Sequence, residues 1–227
     1  MMMKKIFSLV LMLALAAAPA MAQEEGVVVQ SSCSIVQSGD YYLTYCFAQV
    51  HNNTDQVLCL EDGTFYLTCG EEVIAHEEVS KLWPYFLAPG EDGYLFDIVP
   101  FETMPQITGL EYDVEYLLVN PAYAGVKLDA KTRVELDEGS GVLSVFCEMS
   151  NPTNSEAFDP ALAIGLYTDA GQLLYAGGRN LTNVGIPAQG SVLVRFEVEP
   201  DMVAQWISYD ALPTQVQVNA MFRTGSD

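Results

Sequence analysis

The sequence predicts an all-β protein: two tandem immunoglobulin-like β-sandwiches behind a cleaved signal peptide. Three observations carry that expectation. A long internal repeat sets the number of units, an apolar period of two sets the secondary structure, and a basic-then-apolar leader sets the destination.

Residues 43–100 and 142–200 read as two copies of one unit. VHNNTDQVL (50–58) lies on MSNPTNSEA (149–157), which pairs Asn52 with Asn151 and Thr54 with Thr153. FYLTC-GEEVI (65–74) follows IGLYTDAGQLL (164–174) if the second turn is one residue longer. LAPGEDGYLFDIVP (87–100) follows IPAQGSVLVRFEVEP (186–200), with Gly90 placed on Gly190 and Pro100 on Pro200. A repeat this long copies a whole domain and not a solenoid unit.

Residues 1–22 have the layout of an export signal. Lys4 and Lys5 give a positive start, IFSLVLMLALAAA an apolar run, and Ala20-Met21-Ala22 a small-x-small cleavage site, so cleavage is expected before Gln23. The apolar run is shorter than the roughly 20 residues that cross a bilayer, and no cysteine follows the site to take a lipid. The compact layout points to a bacterial source. The remaining chain divides into a first domain over 23–120 and a second over 121–227. No later segment is long and apolar enough to make a transmembrane helix.

Strands are justified in order by alternation. Segments 27–37 and 41–50 form the first pair, and YLTCGEEVIAHEEV turns through Gly70 into the next. Segments 87–100 and 106–119 complete the first copy; VNPAYAG (119–125) is the linker, because Pro121 and Gly125 interrupt the pattern. Segment 126–136 opens the second copy. In GVLSVFCEMS (141–150), Leu143, Val145, Cys147 and Met149 share one face, with Ser144 and Glu148 on the other. IGLYTDAGQLLYAG makes a hairpin through Asp169-Ala170-Gly171. SVLVRFEVEP (191–200) sends Val192, Val194, Phe196 and Val198 inward, and 213–223 is the last strand. One short helix is expected over PDMVAQWISY (200–209), capped by Asp201, while its counterpart PFETMP (100–105) is cut off by Pro105. Short strands at this spacing, in two sets, are the pattern of immunoglobulin-like sandwiches.

The run I-G-L-Y-T-D-A-G (164–171), after N-P-T (151–153) and before I-P-A-Q-G (186–190), resembles the bacterial FxLYD-type domain, an exported immunoglobulin-like module with a Phe-x-Leu-Tyr-Asp hairpin. The first copy keeps Phe65 and Leu67 but has Thr68-Cys69 in place of Tyr-Asp; the second keeps Leu166-Tyr167 but has Ile164 for Phe and Thr168 before Asp169. The resemblance implies the sandwich fold and export, and lends no activity.

Charge narrows the partners. After the leader, 30 acidic residues face seven basic ones, and residues 23–120 hold 17 of the acids against Lys81 alone. Such a surface repels nucleic acid and anionic lipid and favours cationic partners or divalent metal. Calcium is the cofactor considered, through Glu61-Asp62, Glu71-Glu72, Glu77-Glu78 and Glu91-Asp92. No Asp-x-Asp-x-Asp loop is present, however, and adjacent acids on a strand point to opposite faces. No metal ligand is therefore assigned.

Catalytic signatures are absent from the sequence. His51 and His76 are the only histidines; HEEVS (76–80) is not His-Glu-x-x-His, and no Gly-x-Ser-x-Gly occurs. Of the five cysteines, Cys33, Cys46, Cys59 and Cys69 fall in the first copy, and Cys147 is expected as a buried thiol. Three pairings of the four are open. Cys59–Cys69 with Cys33–Cys46 is the most local, each bridge joining neighbouring strands. Trp83 and Tyr85 either pack in a core or stand as a platform for sugar rings. The expected function is that of an exported, non-catalytic interaction or scaffold protein, binding a protein or cell-envelope component through loops or edge strands. The alternatives are a glycan- or calcium-binding module in the first copy and, more distantly, a hydrolase using His51 or His76.

Overall fold

Alternation of side chains decides how each strand is covered, and the computed structural model shows the outcome for residues 27–79, 81–121 and 125–223. The signal-peptide reading at 1–22 and cleavage before Gln23 lie outside the described residues. The first half contributes β1 (Val27–Ser38), β2 (Tyr41–Asn52), β3 (Val57–Cys69), β4 (Glu72–Glu78), β5 (Lys81–Trp83), β6 (Phe86–Leu87), β7 (Asp92–Phe101) and β8 (Gly109–Val119). The second contributes β9 (Val126–Lys127), β10 (Asp129–Leu136), β11 (Leu143–Ser150), β12 (Ala157–Phe158), β13 (Ala161–Tyr167), β14 (Leu173–Asn180), β15 (Gly185–Ile186), β16 (Ser191–Val198), the helix α1 (Pro200–Ser208) and β17 (Gln215–Phe222).

The fold is all-β, with each half a sandwich of antiparallel sheets. In the first half an inner sheet ordered β1-β2-β7-β5 packs on an outer one, in which β3 is flanked by β4 and β6 on one side and by β8 on the other. In the second, an inner sheet ordered β14-β13-β17-β9 packs on an outer sheet ordered β10-β11-β16, with β12 and β15 as a short separate pair. The predicted strand over 126–136 is broken: β9 pairs with β17, Leu128 is buried, and β10 crosses to β11, so the chain changes sheets at that leucine.

The repeat holds at the level of single hydrogen bonds. Asn52 and Asn151 are buried, and each side-chain amide donates to a carbonyl four residues on (Gln56 and Ser155, both at 2.8 Å) and to the carbonyl of a distant leucine or isoleucine (Leu87 and Ile186, both at 2.9 Å). Each amide oxygen accepts the backbone N–H and hydroxyl of the threonine two residues on, Thr54 or Thr153. An asparagine is needed here because donor and acceptor must sit on one short, uncharged side chain. The second hairpin is one residue longer, as expected: Leu67 faces Ala75 across the first, and Leu166 faces Tyr175 across the second.

Three expectations are corrected. The Asn52 carbonyl accepts from Gly90 N–H (2.8 Å) and the Asn151 carbonyl from Gln189 N–H (3.1 Å), so the counterpart of Gly90 is Gln189 and not Gly190. Both residues adopt left-handed backbone, at φ 77° and 59°; a glycine identity one position away pulled the alignment off register. The same shift puts Glu199 opposite Pro100 in the repeat. Second, α1 is entered through Glu199, with Pro200 in the first turn; Asp201 lies inside that turn and does not cap it. Third, Cys59 and Cys69 belong to one strand. β3 runs straight through Glu61-Asp62-Gly63, which reads as a turn, by absorbing an irregularity between Leu60 and Asp62. Gly63 fits because a Cβ there would meet Leu95 Cδ2 at 2.6 Å. Ten residues of strand separate the two sulfurs by about 33 Å, which excludes that bridge.

The halves meet where rings of the first pack into the core of the second. In β2, Cys46, Ala48 and Val50 point into the first sandwich, whereas Tyr45 and Phe47 point out of it and join the core that contains Leu143, Val145, Ile164 and Trp206 of the second half. The inner sheet of the first half is thus covered on both faces, which is why its strands carry apolar residues on consecutive positions.

Candidate functional site

Three regions carry the side chains that the sequence singled out: the contact between the halves, the loop around His51, and the outer sheet of the first half.

The contact is built from large residues of the first half set against small ones of the second. A Cβ on Gly178 would come within 2.3 Å of the Trp83 ring, and one on Gly165 within 2.6 Å of Tyr94. Phe47 lies against Phe96 and Tyr175, with ring centroids 5.4 and 5.3 Å away. Several polar groups are paired across the contact. The Tyr94 and Tyr167 hydroxyls are 3.0 Å apart, Asn219 donates to the Asp92 carbonyl at 2.9 Å, Gln30 donates to the Gly171 carbonyl at 3.0 Å, and Lys127 reaches Glu91 at 3.5 Å. Burial pushes the Tyr94 and Tyr167 phenols up from the ordinary tyrosine range, so both are held neutral. A polar cleft of about 80 Å³ lined by Glu91, Asp92, Lys127, Gln217 and Asn219 opens at the edge of this contact. It has room for a few waters but is too small for an organic ligand. Trp83 is thereby committed to packing against the second half, while Tyr85 is half exposed on the following turn; the two do not form a shared aromatic platform.

His51 pairs with Asp92 at 2.7 Å through Nδ1. His76 stacks on Tyr66, with centroids 6.3 Å apart, on the exposed face of the outer sheet. Among the described residues no serine, threonine or cysteine is hydrogen-bonded to either imidazole, and no three His, Cys, Asp or Glu side chains converge as a metal site. The acidic pairs named for calcium are spread out: Glu91 is engaged by the Ala88 N–H and Lys127, Asp92 by His51, and Glu71-Glu72 and Glu77-Glu78 lie exposed at the two ends of β4. No bond joins any two of the five cysteines in this structure, and burial pushes Cys147 up to about 11.

Within the outer sheet of the first half, β8 was not singled out by any sequence motif. β8 pairs with β3 along its length; its other edge joins no ladder among the described residues, and there the Leu110 carbonyl accepts from the Ser31 hydroxyl of β1 at 3.5 Å. Leu110, Tyr112, Val114 and Tyr116 face or flank the core, and the alternate positions Glu111, Asp113, Glu115 and Leu117 are exposed. Across the ladder Glu111 lies opposite Tyr66, Asp113 opposite Thr64 and Glu115 opposite Asp62, and Glu78 lies beyond Thr64, so carboxylates fill one exposed face. The signal available in sequence was the alternation G-L-E-Y-D-V-E-Y-L itself, with an acid at every second residue.

No family model and no curated protein matches the chain. Among solved structures it is similar to a red sea bream transglutaminase, at 10% identity over 88% of this chain and 32% of that one, with a TM-score of 0.23. The chain spans about a third of that protein's length.

Proposed function

We propose that the protein is an exported, non-catalytic interaction module of the FxLYD-like kind. In this reading it holds a protein or cell-envelope partner outside the cytoplasm by strand addition to β8. The observation that carries this reading is β8 itself: eleven residues of strand with one edge paired and an acid at alternate exposed positions. A strand edge presents unpaired backbone donors and acceptors in a row, and a partner strand satisfies them while its alternate side chains supply specificity. Lys or Arg at every second position of the partner would stand about 5 Å from Glu111, Asp113 and Glu115. The excess of acid over base in residues 23–120 draws such a segment in and turns anionic polymers away. Burial of the inner sheet against the second half leaves the outer sheet as the face of the first half that points away from the rest of the molecule.

The test is a labelled ten-residue peptide of alternating Lys and Val, titrated with the mature chain by fluorescence anisotropy. Binding is expected at low salt, weakening as ionic strength rises, and is lost in the variant E111Q/D113N/E115Q at unchanged thermal midpoint. Equal binding by that variant, or none by the parent chain at millimolar peptide, contradicts the proposal.

A further inference from the structure

We propose that Cys33 and Cys46 form a disulfide that ties β1 to β2 in the core of the first sandwich. The two residues are direct partners in the antiparallel β1–β2 ladder. Residues opposed in this way have Cα atoms about 4.5–5.5 Å apart, inside the roughly 4.4–6.8 Å that a disulfide spans. Both side chains are buried and both belong to the core of the first sandwich, so they leave the same face of the same sheet. The other three cysteines do not compete. Cys59 and Cys69 share one strand; Cys59 sits between the inward-pointing Leu58 and Leu60 and so faces away from that core. Cys69 ends β3 opposite Glu72, and Cys147 is buried in the core of the second half.

The bond forms by thiol–disulfide exchange with a disulfide oxidant, either a small molecule or a protein dithiol oxidase. The thiolate of one cysteine attacks the oxidant, forming a mixed disulfide and expelling one thiolate. The second cysteine thiolate then attacks the protein sulfur of that bond and expels the other. Two protein thiols are oxidised, the oxidant is reduced to two thiols, and the two protons pass to them. Burial in the finished fold pushes Cys33 up to about 11 and Cys46 well above the ordinary thiol range, so the attacking thiolate is scarce there. Exchange is therefore completed as the β1–β2 hairpin pairs, before the outer sheet covers it.

The experiment uses the mature chain, unfolded, reduced and refolded in a mixture of reduced and oxidised glutathione, then denatured and alkylated without reductant. The expected product carries three alkyl groups, and its digest contains one linked peptide joining Cys33 to Cys46. Reduction of the parent is expected to lower the thermal midpoint by about 5–10 °C, while C33A/C46A shows no response to reductant. Five alkylated cysteines after refolding, or a linked peptide joining any other pair, overturns the proposal. If the double variant fails to fold, the peptide map of the parent chain decides alone. The outcome does not depend on whether β8 binds a partner.

Discussion

Asn52 and Asn151 make matching hydrogen bonds in matching turns, yet the equivalent strands they end, β2 in an inner sheet and β11 in an outer one, are covered differently. In the first half, β2 buries Cys46, Ala48 and Val50 on one side and Phe47 on the other. In the second, β11 buries Val145, Cys147 and Met149 on one side, while Glu148 on the other is exposed. The comparison teaches that the turn is the copied element and the sheet face is the adapted one. One copy put aromatic residues on a face that a lone sandwich would leave to water, and the other put Gly165 and Gly178 where those rings arrive. The result is two similar sandwiches, each with its own core, the second of which takes in rings from the first.

The largest effects should come from the shared element. Asn52→Ala and Asn151→Ala each strand one buried carbonyl, Leu87 or Ile186, and take away the acceptor of a threonine N–H and hydroxyl. Each should cost about 3 kcal/mol in denaturant unfolding, the two agreeing within about 1 kcal/mol. A large inequality would break the equivalence of the turns. Next comes the adapted element: Gly178→Ala drives a methyl into the Trp83 ring and should cost about 2 kcal/mol, with Trp83 fluorescence shifting to the red as water enters. A neutral result would mean the contact yields without loss. The smallest effect is silent at neutral pH. Burial raises Tyr175 to about 12 and pushes Tyr94 and Tyr167 up as well. Because each phenol is held neutral in the fold, its contribution is complete below the unfolded value near pH 10 and is lost as pH climbs from there through the folded value. Urea midpoints should therefore be flat in this respect from pH 8 to 9.5 and fall between pH 10 and 12, less steeply in Tyr175→Phe.

Much of this was legible in the sequence. The paired Asn and Thr residues revealed the repeat because the turn needs those side chains, and alternation revealed the strands because each outer sheet has one wet face. The covered face of the inner sheet was harder to see. Tyr45-Cys46-Phe47 breaks alternation by being apolar on both sides, a signal of double burial that does not say against what. Gly178 and Gly165 gave no hint of the rings they receive, since a glycine in a strand marks close approach without naming the partner. The sugar platform drawn from Trp83 and Tyr85 failed for the same reason: sequence neighbours on a turn point to different surroundings. β3 hid its length because Asp62-Gly63 has the composition of a turn and the geometry of a bulge.

The central claim, that the two sandwiches are joined by rings of the first packed into the core of the second and act as one body, is tested most directly by the two tryptophans. Trp83 sits at the contact and Trp206 is buried within the second half. Denaturant unfolding of Trp83→Phe reports Trp206 alone, and that of Trp206→Phe reports Trp83 alone, each compared with far-ultraviolet circular dichroism on the same sample. In each variant the fluorescence and circular dichroism midpoints should coincide in a single transition. A Trp83 signal that is lost well before the strands unfold, with a second transition for the other half, would contradict the account.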